Sequence, residues 1–392
     1  MKKKEKKGFA KIIKRYQEIL SKQDKILLIF TIILVIWGLF NIVTASSRES
    51  VAHLDKGLYF FFDRHSKILI FCFLISMIII AIPSSTYFLF STIGYGAVIF
   101  LIVVALINSA IRGSNNWLFD GSFQPSEFAK PIIIIFLSCL FEKYQKKLKN
   151  EKDKNHNKLI IILVAIAISI PALVFLQKDA GTAFIIAVIV GSIYLFSPII
   201  NKAKLKSLGL ALILCSVAVL FLTFAQGSVF TGEQLSRIKF VNDPCDNYEN
   251  GGYQVCNGYI AFNQGGLWGL GIGKSQQKYS YIPEPHTDSV FAIMAEELGA
   301  VFSGVIFICY AILLYRILKI SSQTKKTKNR LICIGVATYI FTHIVVNLGG
   351  LLGIIPLTGI PLPFFTYGGS FTLSMLVAIA CVQRICIETK EN

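Results

Sequence analysis

The chain has 392 residues, 54% of them hydrophobic and only 16% charged, with a formal net charge of +17. No water-soluble core could absorb that much apolar sequence, so a soluble globule is excluded. A membrane span needs about 20 apolar residues to cross a hydrocarbon layer of about 30 Å. Ten segments qualify, at about 26–45, 67–83, 87–109, 127–142, 159–176, 181–199, 207–225, 289–315, 331–352 and 370–387. The expected fold class is all-α, a polytopic membrane protein of ten transmembrane helices.

Basic residues concentrate before the first span, in 142–158, in 200–206, in 316–330 and at the C-terminus. By the positive-inside rule these segments face the cytoplasm, which puts both termini there. The same asymmetry accounts for the positive charge through anionic lipid, with no nucleic acid needed. Three regions follow: a basic segment 1–25, a membrane domain 26–387 and a short tail 388–392. In the first, Phe9, Ile12, Ile13, Tyr16, Ile19 and Leu20 recur at helical spacing, the pattern of an amphipathic helix lying on the inner surface.

The external segment 110–126 leads into the fourth span, whose early turns carry Glu127 and Lys130. Lys130 lies about one turn, roughly 5 Å, inside that helix. Two readings stand for it: snorkelling to the surface, or meeting an anion of another span at the same depth, such as Asp288. Trp117 reads as an interfacial belt residue. Asp179 sits in the short turn 177–182, which is ordinary Asp-Gly turn chemistry.

Residues 226–288 form a large external loop between helices 7 and 8. It holds Arg237, Lys274 and Lys278, and the run GGLWGLGIGKS. That run is not a phosphate-binding P-loop, because Trp268 stands where the pattern needs glycine. Cys245 and Cys256 are the only cysteines in this loop, and an oxidising exterior permits a disulfide between them. The other seven fall in or at the ends of spans, as small apolar residues. No HExxH or CxxC occurs, which argues against a structural zinc site.

The loop runs into YIPEPHTDSVFAIMAEELG at 281–299. Asp288 stands at the junction, with Thr287 as the expected N-cap and the carboxylate in the first helical turn, facing the positive end of the dipole. Deeper in the run, Glu296 and Glu297 read either as functional intramembrane acids or as partners in a buried pair. The segment 353–369, with three prolines and four glycines, cannot be continuous helix. It is expected as a re-entrant element facing the external cleft.

Together these stretches resemble the SEDS family (shape, elongation, division and sporulation), the polytopic enzymes typified by RodA and FtsW. Four signatures carry the resemblance over about 26–387: NNWLFDGSFQPSEFAK at 115–130, QKDAGT at 177–182, YIPEPHTDSVFAIMAEELG at 281–299 and PLTGIPLPFFTYGGS at 356–370. The loop DPCDNYENGGYQVCNG looks more like the FtsW branch than RodA. Asn116, Lys178, Thr366 and Phe371 depart from the usual Arg, Pro, Ser and Ser.

The resemblance implies a peptidoglycan glycosyltransferase that polymerises lipid II outside the membrane and releases undecaprenyl diphosphate. It makes Asp288 the catalytic carboxylate, as general base or as ligand of a divalent cation (Mg or Mn). The expected substrate-binding residues are Trp117, Gln124, Ser126, Glu127, Lys130, Arg237, Lys278, Glu284, His286, Thr287 and Ser370. The implied partners are the nascent glycan strand, a class B penicillin-binding protein and the divisome or elongasome. A lipid II flippase, resting on Glu296 and Glu297, is the alternative, as is a RodA-type elongation role.

Overall fold

The computed structural model describes residues 18–53, 56–107, 116–119, 121–153, 155–207, 209, 244–246, 252–279, 282 and 285–391. The helices that build it are α1 (Lys25–Arg48), α2 (Phe60–Ala81), α3 (Tyr87–Ile107), α4 (Pro125–Lys143), α5 (His156–Leu176), α6 (Ala180–Phe196), α7 (Tyr253–Gly265), α8 (Val290–Gln323), α9 (Thr327–Leu351) and α10 (Gly369–Glu391). Among the described residues, seven helices are long and apolar enough to cross a membrane: α1, α2, α5, α8, α9 and α10, with α3 extended by the turn before it. The expected fourth and sixth spans are α4 and the shorter α6. Most of the expected seventh span, the amphipathic stretch before residue 18, Arg237 and Glu284 lie outside the described residues.

Helix ends follow local chemistry. Asp24 caps α1 by accepting from the Leu27 amide at 2.8 Å, and Asp179 caps α6 through the Thr182 amide at 3.0 Å. Pro125 opens α4, where a missing N–H costs nothing.

α9 and α10 are buried round most of their circumference and form the centre of the bundle. α2 instead turns Ile70, Phe71, Phe73, Leu74 and Ile78 outward, the face expected against lipid. α4 packs against α3, α6, α9 and α10, and α8 lies between α1, α7 and α9.

Two departures from the expected layout matter for the site. The loop before Asp288 contains a helix, α7, packed along α8. And α8 is broken: Gly299 has φ 78° and ψ 177°, outside the helical region. The glycine-rich run 265–273 fills the break. The amides of Leu270 and Gly271 donate to the carbonyls of Glu296 and Glu297 at 2.9 and 3.0 Å. The amides of Ala300 and Val301 donate to the carbonyls of Gly266 and Leu267 at 2.9 and 3.2 Å. Backbone groups freed by the break are thus satisfied sideways. The contact needs bare backbone on both sides. A Cβ on Gly269 would lie 2.2 Å from the Glu297 carbonyl oxygen, and one on Gly299 would lie 2.4 Å from the Gly269 nitrogen.

Residues 352–368 are non-helical; Leu357, Ile360 and 362–366 are buried, whereas Leu352 and Ile354 are exposed. α1 admits this segment at Gly38, where a Cβ would stand 2.0 Å from the Phe364 carbonyl oxygen. The Tyr310 hydroxyl of α8 donates to the Pro363 carbonyl.

Candidate active site

Asp288 is half-buried and precedes α8, which begins at Val290 with Ser289 in the capping position. This corrects the expected helix start by two residues. The Thr287 hydroxyl does not cap the helix end but lies 3.1 Å from Asp288 Oδ1. Gln254 Nε2, from the first turn of α7, approaches the same oxygen at 3.4 Å and the Ser289 hydroxyl at 2.6 Å. The other carboxylate oxygen, Oδ2, faces Gly359, whose added Cβ would come within 3.7 Å of it.

The backbone around Asp288 is fixed from α9. Asn347 Nδ2 donates to the Asp288 carbonyl at 2.7 Å and to the Ile360 carbonyl at 2.8 Å. Two carbonyl acceptors demand the amide nitrogen at that position, which settles the orientation of the side chain. One turn earlier on α9, His343 Nδ1 lies 3.0 Å from the Pro361 carbonyl, so this nitrogen carries the proton and donates. His286 is held likewise: the Tyr367 amide donates to its carbonyl at 3.0 Å, and its ring stands 4.2 Å from that of Phe61. The segments 285–289 and 359–367 are therefore locked together.

Lys130 is fully buried, which excludes snorkelling. Its ammonium donates to Glu127 Oε1 at 2.7 Å and to His343 Nε2 at 3.1 Å. With Nδ1 protonated, Nε2 is the acceptor the ammonium requires. The anion paired with Lys130 is thus its neighbour on α4. Its connection to Asp288 runs through His343, the 360–361 backbone and Asn347. Ser126 and Glu127 are buried beside it.

Asp179 joins the first two signatures. Its Oδ2 accepts from Asn116 Nδ2 at 2.7 Å and from Gln124 Nε2 at 3.1 Å, while Oδ1 caps α6. The Gln124 amide faces the Ser370 hydroxyl at 3.4 Å. Trp117 is half-buried next to Asn116.

Lys278 lies elsewhere in its bonding. It is buried, donates to Glu297 Oε1 at 2.9 Å and to the Gly273 carbonyl at 2.8 Å. An anionic ligand would have to displace Glu297 to reach it. Glu296 accepts from the Ser275 hydroxyl and from the Gln276 amide, the latter at 2.8 Å. Both acids therefore bind the 273–278 turn, which is the buried-pair reading of their position. Cys245 and Cys256 are disulfide-bonded.

The structure thus gathers Gln124, Ser126, Glu127, Lys130, His286, Thr287, Asp288 and Ser370 at one end of the bundle, opposite the end where Arg316 of α8 meets Asp24. Four participants were not in the expected set: Asp179, Gln254, His343 and Asn347. Each polar residue inside an apolar run, such as His343 and Asn347, was a signal in itself.

The family model described as cell cycle protein, covering FtsW, RodA and SpoVE, matches residues 24–391. A probable peptidoglycan glycosyltransferase FtsW of Bacillus subtilis is 31% identical over 379 residues, covering 93% of this chain and 90% of that protein. Stage V sporulation protein E of the same organism is 30% identical over 377 residues, covering 93% and 97%. Among solved structures, a chain of a peptidoglycan synthase complex that coordinates polymerization and crosslinking superposes with a TM-score of 0.71 at 23% identity, over 94% of this chain and 99% of that one. The rod shape determining protein RodA of Thermus thermophilus gives 0.65 at 22% identity, over 94% and 98%. The fold is therefore that of RodA, and the chain belongs to the FtsW/RodA/SpoVE family of cell cycle proteins.

Proposed function

We propose that this protein is a peptidoglycan glycosyltransferase of the FtsW kind, with Asp288 as its catalytic carboxylate. The observation that carries the assignment is the mounting of Asp288: a half-buried acid held through its backbone by Asn347 and through Oδ1 by Thr287 and Gln254. An acid fixed this way serves a reaction that needs a base in one place. In the reaction, a sugar hydroxyl attacks the anomeric carbon of a lipid-linked disaccharide. The new glycosidic C–O bond forms as the bond to diphosphate breaks. The hydroxyl proton passes to Asp288, and undecaprenyl diphosphate leaves. Direct attack inverts the α-linked donor to a β-linked product. Lys130 supplies fixed positive charge on the same side of the bundle, partly balanced by Glu127.

Among the described residues no three or more His, Cys, Asp or Glu side chains gather to hold a metal ion. Magnesium or manganese needs only one or two protein carboxylates when substrate phosphates complete its shell, so Asp288 with a diphosphate fits such an ion. When bound, the ion would neutralise charge on the leaving diphosphate. Polymerisation assayed across divalent ions tests whether Asp288 holds such an ion as well.

The reading extends to topology and partners. Ten spans, the seventh near 207–225, place both termini in the cytoplasm and the site outside, where lipid II carries its sugars. The partner is a class B penicillin-binding protein that crosslinks the strand, within the division machinery. The flippase reading loses its support, because Glu296 and Glu297 are neutralised or bonded by the 273–278 turn. Purified protein given lipid II and a divalent ion should yield glycan polymer on a gel. Folded Asp288→Asn should yield none, and polymer at the wild-type rate from that variant would remove the assignment.

A further inference from the structure

We propose that Gln254 is a positioning residue for Asp288, and that the Cys245–Cys256 disulfide supports the reaction by holding Gln254 in place. The inference rests on the assignment of Asp288 as the catalytic carboxylate. Gln254 is the second residue of α7, and its Nε2 lies 2.6 Å from the Ser289 hydroxyl and 3.4 Å from Asp288 Oδ1. A carboxylate only accepts, so the atom facing it is the amide nitrogen. Together with the Thr287 hydroxyl at 3.1 Å, this gives Oδ1 two side-chain donors.

The position of Gln254 depends on the first turn of α7 staying wound. First turns fray, because their amides lack helical partners. Here the capping residue is Gly252, which provides no side-chain cap. Two contacts with the preceding strand of chain take over that task. Gly252 is pressed against Pro244, where a Cβ would meet the carbonyl oxygen at 1.9 Å. Cys256, on the next turn, is bonded to Cys245, with the two Cα atoms 4.9 Å apart. Further along, α7 is anchored to α8 at Gly265, whose Cβ would lie 2.2 Å from the Ala295 carbonyl oxygen. The disulfide is thus the covalent tie at the end of α7 that carries the amide.

The role is separable from packing. Gln254→Ala removes one hydrogen bond to a charged group, so kcat for lipid II polymerisation should fall about 10- to 100-fold. KM should stay within about two-fold, since the amide acts on the acid and not on the substrate. Gln254→Glu keeps the shape but replaces the donor with an acceptor, and should be at least as slow. The double variant Cys245→Ser/Cys256→Ser should slow the wild type by about 3- to 10-fold, yet add little to Gln254→Ala, the non-additivity of two changes acting through one contact. Thermal unfolding in detergent confirms that each variant is folded.

Wild-type kcat in Gln254→Ala or Gln254→Glu overturns the proposal. So does a rise in KM with kcat kept, which would make Gln254 a substrate contact. So does a full multiplicative effect of the cysteine changes in the Gln254→Ala background. Asp288→Asn is run alongside: if it polymerises normally, the assignment of the acid itself has failed, whatever Gln254 does.

Discussion

Asn347 and Asp288 are joined through backbone and not through charge: the Asn347 amide nitrogen lies 2.7 Å from the Asp288 carbonyl oxygen and spans to Ile360 at 2.8 Å. One buried side chain on the central helix thus sets the separation between the acid and the proline-rich segment opposite it. Replacing Asn347 by Leu keeps the volume and removes both bonds. A displacement of about 1 Å at a reacting group costs about 100-fold in rate. Initial rates of lipid II polymerisation should drop by that order in Asn347→Leu, while the protein remains monodisperse. An unchanged rate would mean that the acid holds its place without the clamp.

Lys130 and Glu127 form a pair with side-chain exposures of 0% and 4%. Removing one partner of such a pair strands a buried charge, at a cost of about 3–5 kcal/mol. Lys130→Met should therefore lower the thermal midpoint sharply, and Lys130→Met/Glu127→Gln should recover most of the loss. Turnover should not recover with it, because the fixed cation is gone. Polymerisation restored in the double variant would reduce Lys130 to a structural role.

The glycine turn against α8 makes a graded test. Gly269 has φ +80° and Gly273 has φ +78°, but only Gly269 faces a backbone oxygen at 2.2 Å from an added Cβ; nothing lies within 4 Å at Gly273. Alanine at Gly273 should cost about 1 kcal/mol in conformational strain alone. Alanine at Gly269 should cost clearly more, because the turn must leave the break in α8. Thermal melts of the two variants in the same detergent compare them directly, and equal losses would count against the inserted turn.

At the other end of the bundle, Asp24 receives the Arg316 guanidinium, with Nε at 3.2 Å from Oδ1, and the Leu27 amide at 2.8 Å. Burial raises its pKa, but the Arg316 hydrogen bond, the Leu27 amide and the Arg316 and Lys390 charges outweigh it and hold the carboxyl below its ordinary value. A depressed folded-state pKa gives stability that is complete above the unfolded value, about 3.9, and lost as pH falls through the folded one. Asp24→Asn should thus be less stable than wild type at neutral pH, by about 2 kcal/mol. The gap should close in acid below about pH 4. A gap independent of pH would show that the charge of Asp24 contributes nothing.

Much of this architecture was legible before any coordinates. The long apolar runs located the described membrane helices, because a span leaves a signal that length alone reads, but α2 starts at Phe60 where 67 was expected and α8 runs to Gln323 where 315 was expected. The four signatures marked the segments that meet around Asp288. What failed to show were the cross-connections. α7 lay hidden in a loop because its apolar face is short and matched to α8, not to lipid. The glycine run was legible only as a failed P-loop, since nothing local says that a helix with its break at Gly299 receives it. His343 and Asn347 were polar residues in an apolar helix, and apart from Lys130 at His343 Nε2 the partners described for them are backbone carbonyls, which carry no sequence. Thr287 resembled a helix cap, but the chain turns for two more residues before α8 winds.

The interruption at Gly299 leaves α8 in two pieces that are joined from the side. The 266–271 backbone is bonded to both, through the Glu296 and Glu297 carbonyls before the break and the Ala300 and Val301 amides after it, and α1 holds one piece through Asn41 and the other through Asp24. Movement of the glycine turn is delivered to both pieces, and through Val290–Leu298 to Asp288 just before it. The acid thus sits behind the glycine turn in the chain of contacts, and whatever grips that turn reaches the group proposed as catalytic.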